Sequence, residues 1–277
     1  MFLQKLRAAV RANSSFLCIG LDPDPERLPP SLSGDMGTRI VSFLMEIIDA
    51  TSDLVCAYKP NLAFFEVLGP EGASALAQVR RGVPEVIPVI ADAKRGDIGH
   101  SAGFYARALF QTYEFDAATV SPYGGRDSVE AFAQYANHGV FVWCRGSNPG
   151  AADLQDLALA DGRRVYEAVA ASARDWNIHG NLGLVVGATA PTEVRNVRRI
   201  CPDMPLLLPG VGFQEGDLEG SVAAAVDAAG GGFLVNVSRA VLYASNGEDF
   251  AAAARRTAAD LRQRINRARE AATAAGL

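Results

Sequence analysis

Eight short runs of apolar and β-branched residues punctuate this chain: Phe16–Leu21, Leu54–Tyr58, Val86–Ala91, Ala117–Ser121, Val140–Cys144, Leu182–Val186, Pro205–Leu208 and Phe233–Val237. Most are separated by segments with helical character, at Arg39–Ser52, Gly72–Arg81, Ser101–Tyr113, Arg126–Asn137, Gly162–Asn177, Thr192–Ile200 and Glu219–Ala229. Near-continuous apolar strands alternating with helices indicate a parallel sheet covered by those helices. Eight such units fit an α/β fold of the (β/α)8 barrel type, with a doubly wound open sheet as the alternative. No linker-like or low-complexity segment divides the chain. The expectation is one barrel domain over residues 1–277, with an N-terminal and a C-terminal helix.

A barrel carries its active site at the C-terminal ends of its strands, so those ends are where chemistry is expected. The first run ends in Leu21-Asp22-Pro23 and the second in Tyr58-Lys59-Pro60-Asn61. The third ends in Asp92-Ala93-Lys94-Arg95-Gly96-Asp97, and the fourth in Ser121-Pro122-Tyr123-Gly124-Gly125. The seventh gives Pro209-Gly210-Val211-Gly212-Phe213-Gln214, and the eighth Ser238-Arg239. Along a strand Asp92 and Lys94 share one side while Ala93 points away. Gly96 permits a turn that carries Asp97 back toward the lysine. Charges gathered at the end of an apolar strand cost desolvation energy that a pure scaffold need not bear. The glycine-rich turn after the seventh run exposes backbone N–H groups, and Arg239 supplies a planar donor fork. Both suit a phosphate, which barrel enzymes often hold after strands seven and eight.

Composition narrows the picture further. With 277 residues, 49% of them hydrophobic, the chain is long enough for one large core. A net charge of −5, from 26 basic and 31 acidic residues, argues against a general nucleic-acid binder. Arginines at 255, 256, 262, 264, 267 and 269 read as the solvated face of a terminal helix. The cysteines at 18, 56, 144 and 201 lack CxxC spacing and read as small buried hydrophobes in a reducing compartment. Histidines 100, 138 and 179 share no spacing suited to a zinc site. The Met1–Arg11 segment is amphipathic and lacks the apolar core of a signal peptide, and no stretch is long enough to span a membrane. A cytoplasmic protein is expected. The segment Arg145–Arg163 exceeds a tight connection and reads equally as a functional loop or a surface excursion.

The charges also constrain the reaction. A lysine flanked by carboxylates keeps its proton, which disfavours a Schiff base and suits Lys94 to protonating a carbanion. Asp92 beside a substrate carboxylate would repel it until carbon dioxide departs. Stabilisation of the carbanion by Lys94 is the companion effect.

These residues resemble the orotidine 5′-phosphate decarboxylase family. Asp92-Ala93-Lys94-Arg95-Gly96-Asp97-Ile98-Gly99 matches its Asp-x-Lys-x-x-Asp signature. Leu21-Asp22-Pro23, Lys59-Pro60-Asn61-Leu62-Ala63-Phe64-Phe65-Glu66, Pro209–Gln214 and Ser238-Arg239 match its other landmarks in order. The Arg145–Pro149 stretch and the Lys94–Gly99 run resemble the branch that includes mycobacterial enzymes. The resemblance implies conversion of orotidine 5′-phosphate to UMP and carbon dioxide, without metal or cofactor. It implies Lys94 as proton donor to C6, Asp92 beside the departing carboxylate, and Lys59 and Asp97 completing an alternating charge network. Asp97 would reach the partner's site in a homodimer, and Ile98 would line the partner's pocket. Asp22 would bind the ribose, Ser121 the pyrimidine edge, and Gln214 and Arg239 the phosphate. Ser101 stands where the family usually has threonine and would contact the partner's ribose. Gly146 replaces a common threonine, and Phe213 a common small residue. Two other readings compete: a magnesium-dependent sugar-phosphate lyase on the same barrel, and a non-catalytic nucleotide-binding barrel.

Overall fold

All eight apolar runs contribute a strand in the computed structural model, which describes residues 1–189, 191–210 and 217–275. The strands are β1 (Leu17–Gly20), β2 (Ala57–Lys59), β3 (Ile90–Arg95), β4 (Ala117–Val120), β5 (Gly139–Arg145), β6 (Leu182–Val186), β7 (Leu206–Pro209) and β8 (Phe233–Val237). They are parallel and lie in the order β2-β1-β8-β7-β6-β5-β4-β3. Bridges from Tyr58 to Val89 and from Asn61 to Asp92 join the two ends of that order. The Tyr58 amide donates to the Pro88 carbonyl at 3.0 Å, and the Asp92 amide to the Pro60 carbonyl at 2.9 Å. The sheet therefore returns on itself as a (β/α)8 barrel, and the open sheet is set aside.

Alternation along each strand sorts the side chains into two sets. Leu17 and Ile19 of β1, with Leu21 just beyond it, pack outward with Ile40, Phe43, Leu44 and Ile47 of the helix Met36–Thr51. Cys18, Ala57, Ile90, Ala117, Phe141, Val185, Leu207 and Leu234 face inward and form a separate apolar cluster that fills the lower barrel. The N-terminal helix Phe2–Asn13 closes that end, adding buried Phe2 and Leu6 to the same cluster. The Phe2 ring meets Phe141 edge-on at 5.8 Å. Gly139 makes this possible, since a Cβ there would lie 2.3 Å from the Phe2 ring.

The third strand differs from expectation. Val86 is 74% exposed, and the strand begins at Ile90 and continues through Arg95. Pro88 lacks an N–H to donate, which delays ladder pairing, and the charged residues form the upper half of the strand rather than the loop beyond it. Pairing with β4 shifts register between Ala91 and Arg95, and Lys94 adopts the left-handed region with φ 43°.

The arginines of the C-terminal helix Phe250–Ala274 form more than a solvated face. Arg255 binds Asp53 and Arg264 binds Glu219, tying this helix to its neighbours. All four cysteines are buried and free. Among the described residues no helix is long and apolar enough to cross a membrane.

Candidate active site at the strand C-terminal ends

Two residues above the apolar layer, the inward positions become polar. Ala57 is followed by Lys59, Ile90 by Asp92, Ala117 by Thr119 and Leu234 by Asn236. Asp92 is the centre of the resulting cluster. Its Oδ2 accepts from Lys59 Nζ at 2.8 Å and its Oδ1 from Lys94 Nζ at 2.6 Å. Thr119 Oγ1 donates to the same Oδ1 at 2.9 Å and accepts from the Lys94 backbone N–H, also at 2.9 Å. One hydroxyl thus fixes both the carboxylate and the bulged backbone that carries the lysine.

The two lysines differ in access. The Lys59 side chain is 3% exposed and that of Lys94 36%, so Lys94 is the one presented to an incoming molecule. Burial of Lys59 favours loss of its proton, but the negative charges of Asp92 and Asp22 outweigh this and raise its pKa above the ordinary lysine value. Burial likewise favours the neutral form of Asp92, but Lys59 and Lys94 outweigh it and hold the carboxyl well below the usual range. Lys59 and Asp92 are therefore both ionised throughout the neutral range. Beneath it, burial pushes the Cys18 thiol up to about 12, leaving it a protonated hydrophobe.

Two adjoining cavities open at this rim. The larger, about 310 Å³, is lined by Asp22, Lys59, Asn61, Asn236, Ser238 and Arg239 among others. The smaller, about 160 Å³, has Lys94, Thr119, Trp143 and Leu207 in its wall. Lys59, Asp92, Ser147 and Pro209 belong to both. A molecule with an anionic end near Arg239 and a planar end near Trp143 would pass directly over Asp92.

Of the residues singled out from sequence, Asp22, Lys59, Asp92, Lys94 and Arg239 converge on these cavities. Asp22 Oδ1 accepts from the Asn61 N–H at 3.0 Å. Ser121 lies just beyond β4 with its Oγ accepting weakly from the Tyr123 N–H at 3.4 Å, and close packing on Gly96 leaves 2.7 Å between Ser121 Cβ and a Cβ built there. Gln214 lies outside the described residues, as does Phe213. Asp97 is not carried back to the lysine within the chain: its Oδ1 accepts from the Ile98 N–H at 2.7 Å, while Lys94 pairs with Asp92. The turn at Gly96 directs Asp97, Ile98 and Ser101 to the outer rim, where Ile98 is 62% exposed and Ser101 is exposed.

The structure adds residues that the strand ends did not disclose. Thr119, Trp143 and Asn236 lie within apolar runs, and their signal was parity, since Thr119 shares the side of Ser121 and Asn236 that of Ser238. Arg145 turns out to be buried and committed internally: it grips Asp156 through two bonds of 2.9 Å and donates to the Gly146 carbonyl at 2.7 Å. The Gly146 N–H donates to Gln155 Oε1 at 2.8 Å, so the segment after β5 folds back over its own strand end.

Comparison with known proteins matches this geometry. The model of the orotidine 5′-phosphate decarboxylase / HUMPS family matches residues 15–256. The orotidine 5′-phosphate decarboxylase of Roseiflexus sp. (strain RS-1) is 54% identical over 268 residues, 96% of this chain and 98% of that protein. That of Cupriavidus necator is 52% identical over 272 residues, covering 97% of this chain and 98% of the relative. Among solved structures, Leishmania donovani OMP decarboxylase superposes with a TM-score of 0.84 at 41% identity, covering 97% of this chain and 98% of its own. A putative orotidine-monophosphate decarboxylase from Toxoplasma gondii gives 0.90 at 35% identity, covering 99% and 98%. The chain belongs to the orotidine 5′-phosphate decarboxylase / HUMPS family.

Proposed function

We propose that this chain is a carboxy-lyase that converts orotidine 5′-phosphate to UMP and carbon dioxide in pyrimidine nucleotide biosynthesis. The observation that carries this reading is the Lys59–Asp92–Lys94 cluster at the mouth of the barrel, in a chain more than half identical to decarboxylases over nearly its whole length.

In this reading the phosphate lies by Arg239 and Gln214, the ribose by Asp22 and Lys59, and the pyrimidine by Ser121, with C6 toward Lys94. The bond from C6 to the carboxylate breaks, the electron pair stays on C6, and carbon dioxide leaves. The resulting carbanion lies in the ring plane, where the π system cannot delocalise it. A fixed ammonium close to C6 lowers its energy and then transfers a proton from Nζ to carbon. Asp92 disfavours the substrate carboxylate in the ground state and holds Lys94 in place. Lys94 recovers its proton from water after product release. Contacts to the phosphate, remote from C6, supply binding energy for organising the cluster.

The reading extends to a homodimer in the cytoplasm, working as one barrel domain without a metal or organic cofactor. Asp97, Ile98 and Ser101 at the outer rim would complete the partner's pocket. The apolar exposure of Ile98, Phe104 and Tyr123 on the same rim supports a covered face there. Glu66, which a lyase metal site would draw upon, instead pairs with Arg95.

The test is to follow orotidine 5′-phosphate absorbance with purified, EDTA-treated protein. Turnover to UMP is expected, and its absence, or a requirement for added divalent metal, overturns the reading. For the shared site, mixing Asp97→Ala with Lys59→Ala subunits should restore about one intact site per heterodimer. Confirmed heterodimers that stay inactive would refute contribution in trans.

A further inference from the structure

The segment Arg145–Arg163, longer than a tight strand-to-helix connection, runs mostly over the surface. From Ala152 to Arg164 every residue is exposed except Gln155 and Asp156. Ordering such a stretch costs conformational entropy that little apolar burial within it offsets. Its two half-buried residues are polar, and both reach the end of β5. Asp156 takes two bonds of 2.9 Å from Nε and Nη2 of Arg145, whose side chain is 10% exposed. Gln155 Oε1 accepts from the Gly146 N–H at 2.8 Å, and Arg145 Nη1 donates to the Gly146 carbonyl at 2.7 Å. Gly146 has no side chain of its own, yet side chains of this segment hold both of its backbone polar groups.

The residues so held belong to the site. Arg145, Gly146, Ser147 and Asn148 line the smaller cavity in succession, beside Lys94 and Trp143. β5 shifts register against β6 between Trp143 and Arg145, as β3 does against β4 between Ala91 and Arg95. Among the described residues these are the two register shifts of the sheet, and both border that one cavity. Bulges next to a site re-aim the residues they carry. On the other side Gly187 closes on the same wall: its N–H donates to the Arg145 carbonyl at 2.9 Å, and a Cβ there would lie 2.7 Å from Ser147 Cα. The wall is therefore gripped from two sides, by the backbone after β6 and by the side chains of Gln155 and Asp156.

We propose that Arg145, Gln155 and Asp156 are positioning residues of the reaction, a clasp that fixes the Gly146–Asn148 wall of the cavity against the pyrimidine. The inference rests on the decarboxylase reading above. It deepens that reading by giving the long segment after β5 a task at the base end of the nucleotide, without contact between the clasp and the reacting atoms.

Steady-state turnover of orotidine 5′-phosphate by wild type, Gln155→Ala, Gln155→Glu, Asp156→Ala and the double alanine variant tests it, with UMP and ribose 5-phosphate as competitive inhibitors. Each single alanine variant should lower kcat/KM about tenfold and weaken UMP by a similar factor. Ribose 5-phosphate, which has no base to meet the wall, should inhibit within a factor of two of wild type. Gln155→Glu still accepts from the Gly146 N–H and should restore most of the loss. The double variant should lose less than the product of the single losses, because both residues hold one wall. Unchanged kcat/KM, equal weakening of UMP and ribose 5-phosphate, no rescue by Gln155→Glu, or a lowered melting temperature with wild-type kinetics overturns the assignment. Wild-type protein is assayed first. If it does not turn over orotidine 5′-phosphate, the decarboxylase reading fails and takes this inference with it, whereas wild-type turnover with unaffected alanine variants refutes the clasp alone.

Discussion

Ile90 and Asp92 are successive inward-facing residues of one strand, yet Ile90 belongs to a dry apolar layer and Asp92 to a cluster of three charges. The same step separates Ala57 from Lys59 on β2 and Leu234 from Asn236 on β8. The lower layer is held by packing: nonpolar side chains interdigitate, and the N-terminal helix covers them with Phe2 and Leu6. The upper layer is held by electrostatics in a partly desolvated space, where each charge is tolerable only because another compensates it. The contrast shows where stability and chemistry lie in this molecule. Damage below should lower stability and leave turnover intact, and damage above should fall chiefly on turnover.

The largest effect expected is at Lys94. Lys94→Ala should lower kcat about 10⁴-fold, roughly 5 kcal/mol of transition-state stabilisation, while UMP binding remains measurable by calorimetry. Near-normal turnover in that variant would remove the proton donor from the mechanism. Next is the opposite end of the barrel. Phe2→Ala should reduce unfolding free energy by about 3 kcal/mol in urea titrations, with kcat at 25 °C within a factor of two of wild type, roughly the scale of a buried aromatic truncation. A large fall in kcat at unchanged fold content would break the separation between the two layers.

These two expectations differ in how readily the sequence disclosed them. The eight strands and the charged rim were legible because buried parallel strands are apolar and their C-terminal ends are not. The edges were less so. The run Val86–Ala91 reads as a complete strand, although its first residue is exposed and the strand runs on through the charged residues to Arg95. Thr119 and Asn236 were hidden for the same reason, being single polar residues inside apolar runs, and only the closed barrel shows which parity faces inward. Local geometry directs Asp97 away from the lysine beside it, against the expectation that the turn at Gly96 would carry it back.

Thr119 sharpens the comparison because it acts on the cluster without carrying charge. Thr119→Val preserves shape and removes the bonds to Asp92 and to the Lys94 N–H. It should lower kcat about 30-fold, roughly 2 kcal/mol for a hydrogen bond to a charged group, with KM little changed. Thr119→Ser should restore most of the loss in steady-state assays. Equal changes in kcat and melting temperature on both substitutions would make Thr119 a packing residue.

The smallest effect is in the acid limb of stability. Because its folded pKa is depressed, Asp92 contributes stability fully present above the ordinary carboxylate pKa and lost as pH falls toward the folded value. Lys59 has a raised pKa, so its contribution is intact below the ordinary lysine value and disappears only as pH rises through the folded one. Neither changes between pH 5 and pH 9. Urea titrations should show wild type losing about 1 kcal/mol more than Asp92→Asn between pH 5 and pH 3. Parallel curves would indicate that folding leaves the Asp92 pKa where it is in the unfolded chain.

The left-handed backbone at Lys94 bears on how such an enzyme can change over time. Its φ of 43° is one that a glycine adopts freely and a long side chain adopts at a cost of about 1 kcal/mol. A glycine there would ease the chain and delete the proposed proton donor in the same step. The position is therefore barred from drifting toward the residue its backbone favours, and any lineage adapting to heat has to find its gains elsewhere, in the apolar floor or the surrounding helices.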